Sequence, residues 1–149
     1  MAVKPIPDGY HSVQPYLVVK GADKLIEFMK QAFGATENHK ITGPDGKIGH
    51  AEMQVGDSRI MLGEARKEWT PMPTGIYLYV EDADAVFKKA IEAGGESIMP
   101  VANQFYGDRH GGVRDPAGNL WWISTRVEDV SEEDMKRRAE EWMKKNACK

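Results

Sequence analysis

Two stretches decide the architecture: Tyr16-Leu-Val-Val-Lys-Gly-Ala-Asp23 and Tyr77-Leu-Tyr-Val-Glu-Asp-Ala-Asp84. They lie 61 positions apart and carry Tyr, Leu, Val, Ala and Asp at matching places. The register persists downstream: Ala32 matches Ala93, Gly34 matches Gly95, Gly46 matches Gly107, and Gly56-Asp57-Ser58 falls beside Ala117-Gly118-Asn119. A register held without a gap over about fifty residues reads as an internal duplication, which sets the architecture before any single motif does.

Each half spells the same string of elements. Gln14–Val19 alternates and is β-rich, a strand. Ala22–Phe33 carries Leu25, Ile26, Met29, Ala32 and Phe33 at helical spacing, with Gly34 as the stop. Thr36–Thr42 is a weaker strand, and Pro44-Asp45-Gly46 is turn chemistry. Lys47–Val55 and Ser58–Glu64 then form a hairpin around Gly56-Asp57. The second half repeats this with strand Gly75–Glu81, helix Ala83–Ala93, and strands near Ser97–Asn103, Arg109–Arg114 and Asn119–Thr125. Asp115-Pro116-Ala117-Gly118 supplies its turn, and Ala65–Thr74, with two prolines, joins the halves. The expected fold is α+β: one domain over 1–149, with a βαβββ module at 11–66, a second at 74–126 and a C-terminal helix at 131–146. Ser131 is the N-cap of that helix, and Met135, Ala139, Trp142 and Met143 form its apolar stripe.

Composition narrows the class. A chain of 149 residues and 16.7 kDa buries enough surface to need no disulfide or metal staple. A charged fraction of 29% against 41% hydrophobic excludes strongly disordered chains. The net charge of −3, with both signs interspersed, argues against a nucleic-acid footprint. No apolar run approaches the roughly 18 residues of a membrane helix, and Met1–Gly9 lacks a signal-peptide core. Cys148 stands alone near the tail, so a reducing, cytoplasmic setting is the expectation.

Strand parity then sorts side chains by face. Leu17 and Val19 share one face of the first strand; Gln14, Tyr16 and Val18 share the other. A two-residue turn at Gly56-Asp57 sets Glu52 opposite Met61 and Met53 opposite Ile60. Met53, Ile60 and Leu62 therefore suit helix packing, while His50, Glu52, Gln54, Arg59 and Met61 look the other way. Carried into the second half by the repeat, Leu78, Val80, Trp121 and Ile123 face helices. Tyr77, Tyr79, Arg109, Val113 and Trp122 are expected to face away, and His110 to have the wrong parity for that face. A sheet face with so many amphipathic aromatics and a few polar groups is what lines small-molecule pockets. A polar interface covered by a second subunit is the alternative.

Paired βαβββ modules with these motifs resemble the vicinal oxygen chelate superfamily, which includes glyoxalase I, bleomycin and fosfomycin resistance proteins and extradiol dioxygenases. The resemblance is carried by Gln14-Pro-Tyr-Leu17, Gly49-His-Ala-Glu-Met53, Gly56-Asp-Ser58, Tyr106-Gly-Asp-Arg109, Asp115-Pro-Ala-Gly-Asn-Leu-Trp121 and Thr125-Arg-Val-Glu-Asp-Val-Ser131. It covers about residues 11 to 140 and looks most like the PhnB-like branch. It implies a glyoxalase/bleomycin resistance/dioxygenase-like fold: a cupped mixed sheet with helices on its outer face. It also implies that metal-using members hold a divalent ion through one residue of each first strand and each last strand. Those positions here are Gln14, Gly75, Met61 and Trp122. Of these, Gln14 alone offers a donor for a hard or borderline cation, so the resemblance implies a dismantled metal site.

The expectations for function follow. The first is a binder of a small organic molecule, with Gln14, Tyr16, Tyr77, Tyr79, Tyr106, Arg109 and Trp122 as ligand contacts and no cofactor. In it His50 and Glu52 are the catalytic candidates, His50 as general base and Glu52 paired with Arg109. The second is a metal-dependent lyase, isomerase or dioxygenase that uses Gln14, His50 and Glu52 around Zn, Fe, Ni or Mn. The third is a structural dimer without ligand. A homodimer is expected in each, with neither nucleic acid nor membrane as partner. Trp69 is expected to cover the module junction, Trp121 to be core and Trp122 to meet ligand.

Overall fold

The computed structural model describes residues 2–147; Cys148 lies outside the described residues. The first module runs β1 (Tyr16–Val19), α1 (Ala22–Phe33), β2 (Thr36–Thr42), β3 (Ile48–Val55) and β4 (Ser58–Glu64). The second runs β5 (Gly75–Tyr79), α2 (Ala83–Glu92), β6 (Glu96–Asn103), β7 (Asp108–Arg114) and β8 (Leu120–Arg126), and α3 (Glu132–Asn146) follows. No helix among the described residues is long and apolar enough to cross a membrane.

Each module makes one four-stranded mixed sheet, ordered β1-β4-β3-β2 and β5-β8-β7-β6. β1 runs parallel to β4 with Tyr16 beside Met61, and β5 parallel to β8 with Tyr77 beside Trp122. The same pair recurs in both halves, 61 positions on. β1 begins two residues later than its alternation suggests, because Pro15 has no N–H to give a ladder.

Local chemistry fixes the ends of the helices. Gly34 closes α1 in a left-handed conformation at φ 65°, its N–H reaching the Lys30 carbonyl while the Ala35 N–H reaches that of Met29. At the other end the Glu64 carboxylate accepts from the N–H groups of Gly21 and Ala22, setting a negative charge on the helix N-terminus. Asp82 caps α2 by accepting from the Ala85 N–H at 3.1 Å. Ser131 does the same for α3 through the Asp134 N–H at 3.1 Å.

The helix-covered faces of the two sheets share one core. α1 packs on α2, the Phe33 and Trp121 rings lie 4.6 Å apart, and Phe28 reaches over Gly95 of the other module. Leu17, Val19, Met53, Ile60, Leu62, Trp121 and Ile123 are buried in it, as their parity requires. Burial on this side leaves the opposite faces open, the concave sides of the cupped sheet that the resemblance implies: Tyr16, Tyr77 and Tyr79 are 47, 42 and 56% exposed. α3 is held by Trp142 against Phe105 and by Arg138, which donates to the Phe105 carbonyl at 3.2 Å and to the Glu128 carboxylate at 2.7 and 2.9 Å, and none of its described residues is buried.

One strand departs from expectation. Glu52 stands opposite Met61, but Gly112, not Val113, stands opposite Trp122. The offset between the repeats is thus 61 in the last strands and 60 in β3 and β7. The cause is the connection. Val55 pairs with Ser58 across a two-residue turn, whereas Arg114 pairs with Leu120 across Asp115–Asn119, which is one residue longer once its flanks are matched. A shift of one residue exchanges the faces of a strand. Val113 is therefore core, Arg109 faces the helices, and His110 faces the concave side as the counterpart of His50. The longer loop is held by Asp115. Its carboxylate accepts from the N–H groups of Ala117 and Asn119, the Asn119 side-chain amide and the Trp121 indole, all at 2.8–3.0 Å.

Candidate functional site

The concave face of the first sheet holds a chain of polar contacts. The Tyr16 hydroxyl and His50 Nδ1 share a hydrogen bond of 3.0 Å, and His50 Nε2 lies 3.7 Å from Glu52 Oε2. Glu52 is buried, and its other oxygen accepts from the Tyr10 hydroxyl at 2.5 Å. The Arg59 guanidinium sits 4.3 Å above the Tyr10 ring, which folds the amino-terminal segment over the end of the sheet. Glu52 therefore pairs with Tyr10 and His50. It does not meet Arg109, which belongs to the other module and the other side of its sheet.

The concave face of the second sheet centres on Asp108, a residue absent from the sequence expectation. Asp108 is buried, and its Oδ2 accepts from Tyr77 at 2.7 Å and Tyr79 at 2.8 Å. Its Oδ1 lies 3.0 Å from Arg126 Nε, an ion pair without hydrogen-bond alignment. Beside it the Tyr106 hydroxyl meets His110 Nε2, with the two rings stacked at 5.8 Å. His110 Nδ1 and Ser124 Oγ, on paired positions of β7 and β8, are buried without hydrogen-bond partners among the described residues. Burial pushes the His110 imidazole below its ordinary range despite the Asp108 charge, so the ring is neutral at neutral pH. Burial also pushes the Tyr106 phenol up, and pushes Tyr77 up further because Asp108 holds its proton. The Tyr77 ring is part exposed, but its hydroxyl end is sunk against the carboxylate.

The expected ligand contacts thus separate. Tyr16, Tyr77, Tyr79, Tyr106 and Trp122 lie on the concave sides, with Trp122 between Tyr77 and Gly112. Arg109 does not. Its guanidinium forks onto the Asp84 carboxylate of α2 at 2.7 and 2.9 Å, which holds its own charge firmly and depresses the Asp84 pKa. Tyr106, against His110, and Arg109, against Asp84, therefore do not converge on one ligand. Trp69 lies in the linker over the first sheet rather than at the junction of the modules. The signal for His110 was present in the sequence: it matches His50 at an offset of 60, hidden behind the stronger 61-residue register.

The residues at the superfamily's metal positions do not fit a divalent ion. The Gln14 side-chain oxygen already accepts from the His11 N–H at 2.6 Å. Met61 offers a thioether and Gly75 nothing. The Trp122 ring stands 2.8 Å from where a Cβ on residue 75 would be, filling the space a ligand side chain would need. Of the alternative set of Gln14, His50 and Glu52, the last two lie together, 3.7 Å apart, and Gln14 lies apart from them. Gln14 lines a depression with Arg59, Tyr77 and Trp121, while His50 and Glu52 have tyrosine partners. Among the described residues, no three His, Cys, Asp or Glu side chains are grouped to hold a metal ion.

The sequence model of the Glyoxalase/Bleomycin resistance protein/Dioxygenase superfamily matches residues 10–123. The chain is 34% identical over 135 residues to the protein Mb0911c of Mycobacterium bovis, which covers 83% of this chain and 89% of that one. Among solved structures it is similar to TioX from Micromonospora sp. ML1, with a TM-score of 0.63 and 21% identity over 81% of this chain and 100% of that one. It is also similar to the putative 3-demethylubiquinone-9 3-methyltransferase, PhnB protein, from Bacillus cereus, with a TM-score of 0.60 and 17% identity over 77% and 99% of the two chains. At these identities the likeness to solved structures shows the fold alone.

Proposed function

The chain belongs to the glyoxalase/bleomycin resistance protein/dioxygenase superfamily, and from that premise we propose that it binds a small organic molecule on its concave faces, without the superfamily's metal. The observation that carries this reading is the pair of open faces on which tyrosines are pinned, Tyr16 by its hydrogen bond with His50, and Tyr77 and Tyr79 by the buried carboxylate of Asp108. Aromatic rings held in one orientation give contact area at little entropic cost on binding. The donor set at Gln14, Met61, Gly75 and Trp122 speaks for binding rather than metal-assisted chemistry.

Two copies of the chain form part of the proposal. Each open face is too aromatic for a solvated sheet, and a homodimer brings a second surface over it. The PhnB-like branch is the proposed placement within the superfamily, supported by the motif Asp115-Pro-Ala-Gly-Asn119 and by the likeness to the Bacillus cereus protein. A cytoplasmic setting completes it, supported by a single cysteine in 149 residues.

A thermal-shift panel of aromatic and amphipathic compounds tests binding, with sedimentation for the dimer and elemental analysis for metal. Stabilisation by one chemical class, unaltered by chelator, is the expected result. No stabilisation by any class, or a stoichiometric divalent ion lost in His50→Ala and Glu52→Ala, overturns it.

A further inference from the structure

The linker between the modules builds a pocket that none of the expected site residues except Tyr16 describes. The Ala65 N–H bonds the Val19 carbonyl at 2.7 Å, continuing the pairing of β4 with β1, and the Met72 N–H bonds the Val18 carbonyl at 3.0 Å on the other edge of β1. The linker therefore passes round the end of β1 and is fastened on both of its edges. Between those anchors Arg66 and Trp69 exchange both backbone hydrogen bonds, at 2.8 and 3.1 Å, across Lys67-Glu68. Residues paired in this way project their side chains to the same side. Both reach over a cavity of about 340 Å³ whose floor is the concave side of the first sheet at Tyr16, Val18 and Gly63. The floor is flat at Gly63, where a Cβ would meet the Gly49 carbonyl oxygen at 2.7 Å.

The charges around this cavity are unequal in availability. Glu64 is at its edge, but its carboxylate is taken by the N-terminus of α1. Arg66 forms no ion pair among the described residues. Trp69 and Met72, 61 and 56% exposed, supply an apolar rim with nothing packed on it. We infer that this cavity binds a planar aromatic monocarboxylate, its ring against Trp69 and Val18 and its carboxylate on the Arg66 guanidinium. One fork-shaped cation matches one carboxylate, whereas a dianion would leave charge unmatched. The inference rests on the reading of the concave face as a ligand surface and names its ligand class.

Calorimetric titration with naphthalene-2-carboxylate and its neutral isostere naphthalene-2-carboxamide tests it, with circular dichroism as the check on folding. The carboxylate should bind about tenfold more tightly than the carboxamide. Arg66→Gln should erase that difference, and Trp69→Leu should weaken both probes alike. Equal affinity for the two probes, or a difference that survives Arg66→Gln, overturns the pocket. Binding indifferent to Arg66→Gln and Trp69→Leu but lost in Tyr77→Ala overturns the pocket and leaves the concave face as a ligand surface. Failure of both probes, together with failure of the wider thermal-shift panel, overturns both.

Discussion

The Tyr77 hydroxyl donates a 2.7 Å hydrogen bond to Asp108 Oδ2, tying the edge strand of the second sheet to a carboxylate buried two strands away. Tyr79 donates to the same oxygen at 2.8 Å, and Arg126 balances the charge. Removing the carboxylate leaves two phenols and a guanidinium without their acceptor. Asp108→Ala is expected to cost about 2–5 kcal/mol, because the Tyr77 and Tyr79 hydroxyls both lose their acceptor. Asp108→Asn, which keeps one acceptor oxygen, is expected to cost about 1–3 kcal/mol. Urea unfolding measures both, and an unchanged midpoint in Asp108→Ala would refute the arrangement.

In alkali the same cluster sets a limit on stability. Burial raises Tyr77 and Tyr106 above the ordinary phenol value, near 10. A group raised in the folded state contributes stability below its unfolded pKa and loses it as pH climbs toward the folded value. Unfolding free energy should therefore fall from about pH 10 upward, and less steeply in Tyr77→Phe. Parallel limbs for the variant and the parent chain would count against the buried phenol.

His110 has the opposite sign. Burial lowers its pKa, so its contribution is present above the unfolded histidine value of about 6.5 and is lost as pH falls toward the folded one. Acidification below about pH 6.5 should weaken the protein, and His110→Gln should flatten that decline. An NMR titration in which the His110 ring protonates above about 6.5 would contradict the burial described here.

Arg109→Gln should leave ligand affinity unaltered, because the guanidinium faces α2 and its partner Asp84. Tyr16→Ala, on the open face of the first sheet, should weaken the same ligand. Loss of binding in Arg109→Gln, with α2 intact by circular dichroism, would reverse the assignment of faces.

Gly75→Ala tests the filled metal position. The added Cβ would begin 2.8 Å from the Trp122 ring, so the indole must shift. A cost of about 1–3 kcal/mol is expected from overpacking, with a change in tryptophan fluorescence. Neither effect would appear if Trp122 stood elsewhere.

Much of the fold was legible because local chemistry and tertiary packing agree. The spacing of Leu25, Ile26 and Met29 and the stop at Gly34 fix α1, whose core face is the one the periodicity indicates. Gly56 turns at φ 57°, and the pairing of Glu52 with Met61 follows from that two-residue turn. What escaped was the parity of β7. Two boxes in register say nothing of a residue inserted between them, and the backbone of Asp115–Asn119 absorbs it without changing the strands on either side. Arg109 and His110 therefore stand on the faces opposite to those expected, and Asp108, not among the expected site residues, is the buried anchor of Tyr77, Tyr79 and Arg126. Alternation likewise cannot say against which surface an apolar face packs. That the two helix-covered faces share one core depends on contacts such as Phe33 with Trp121, far apart in the chain.

The loop fastened by Asp115 has a consequence for how duplicated modules diverge. One added residue turns an entire strand over about its own axis, bringing outside what its twin keeps inside, while hydrogen bonds to a single carboxylate hold the new setting. A copied module can in this way gain a fresh polar centre by lengthening a bend, before any residue on the strand itself has mutated.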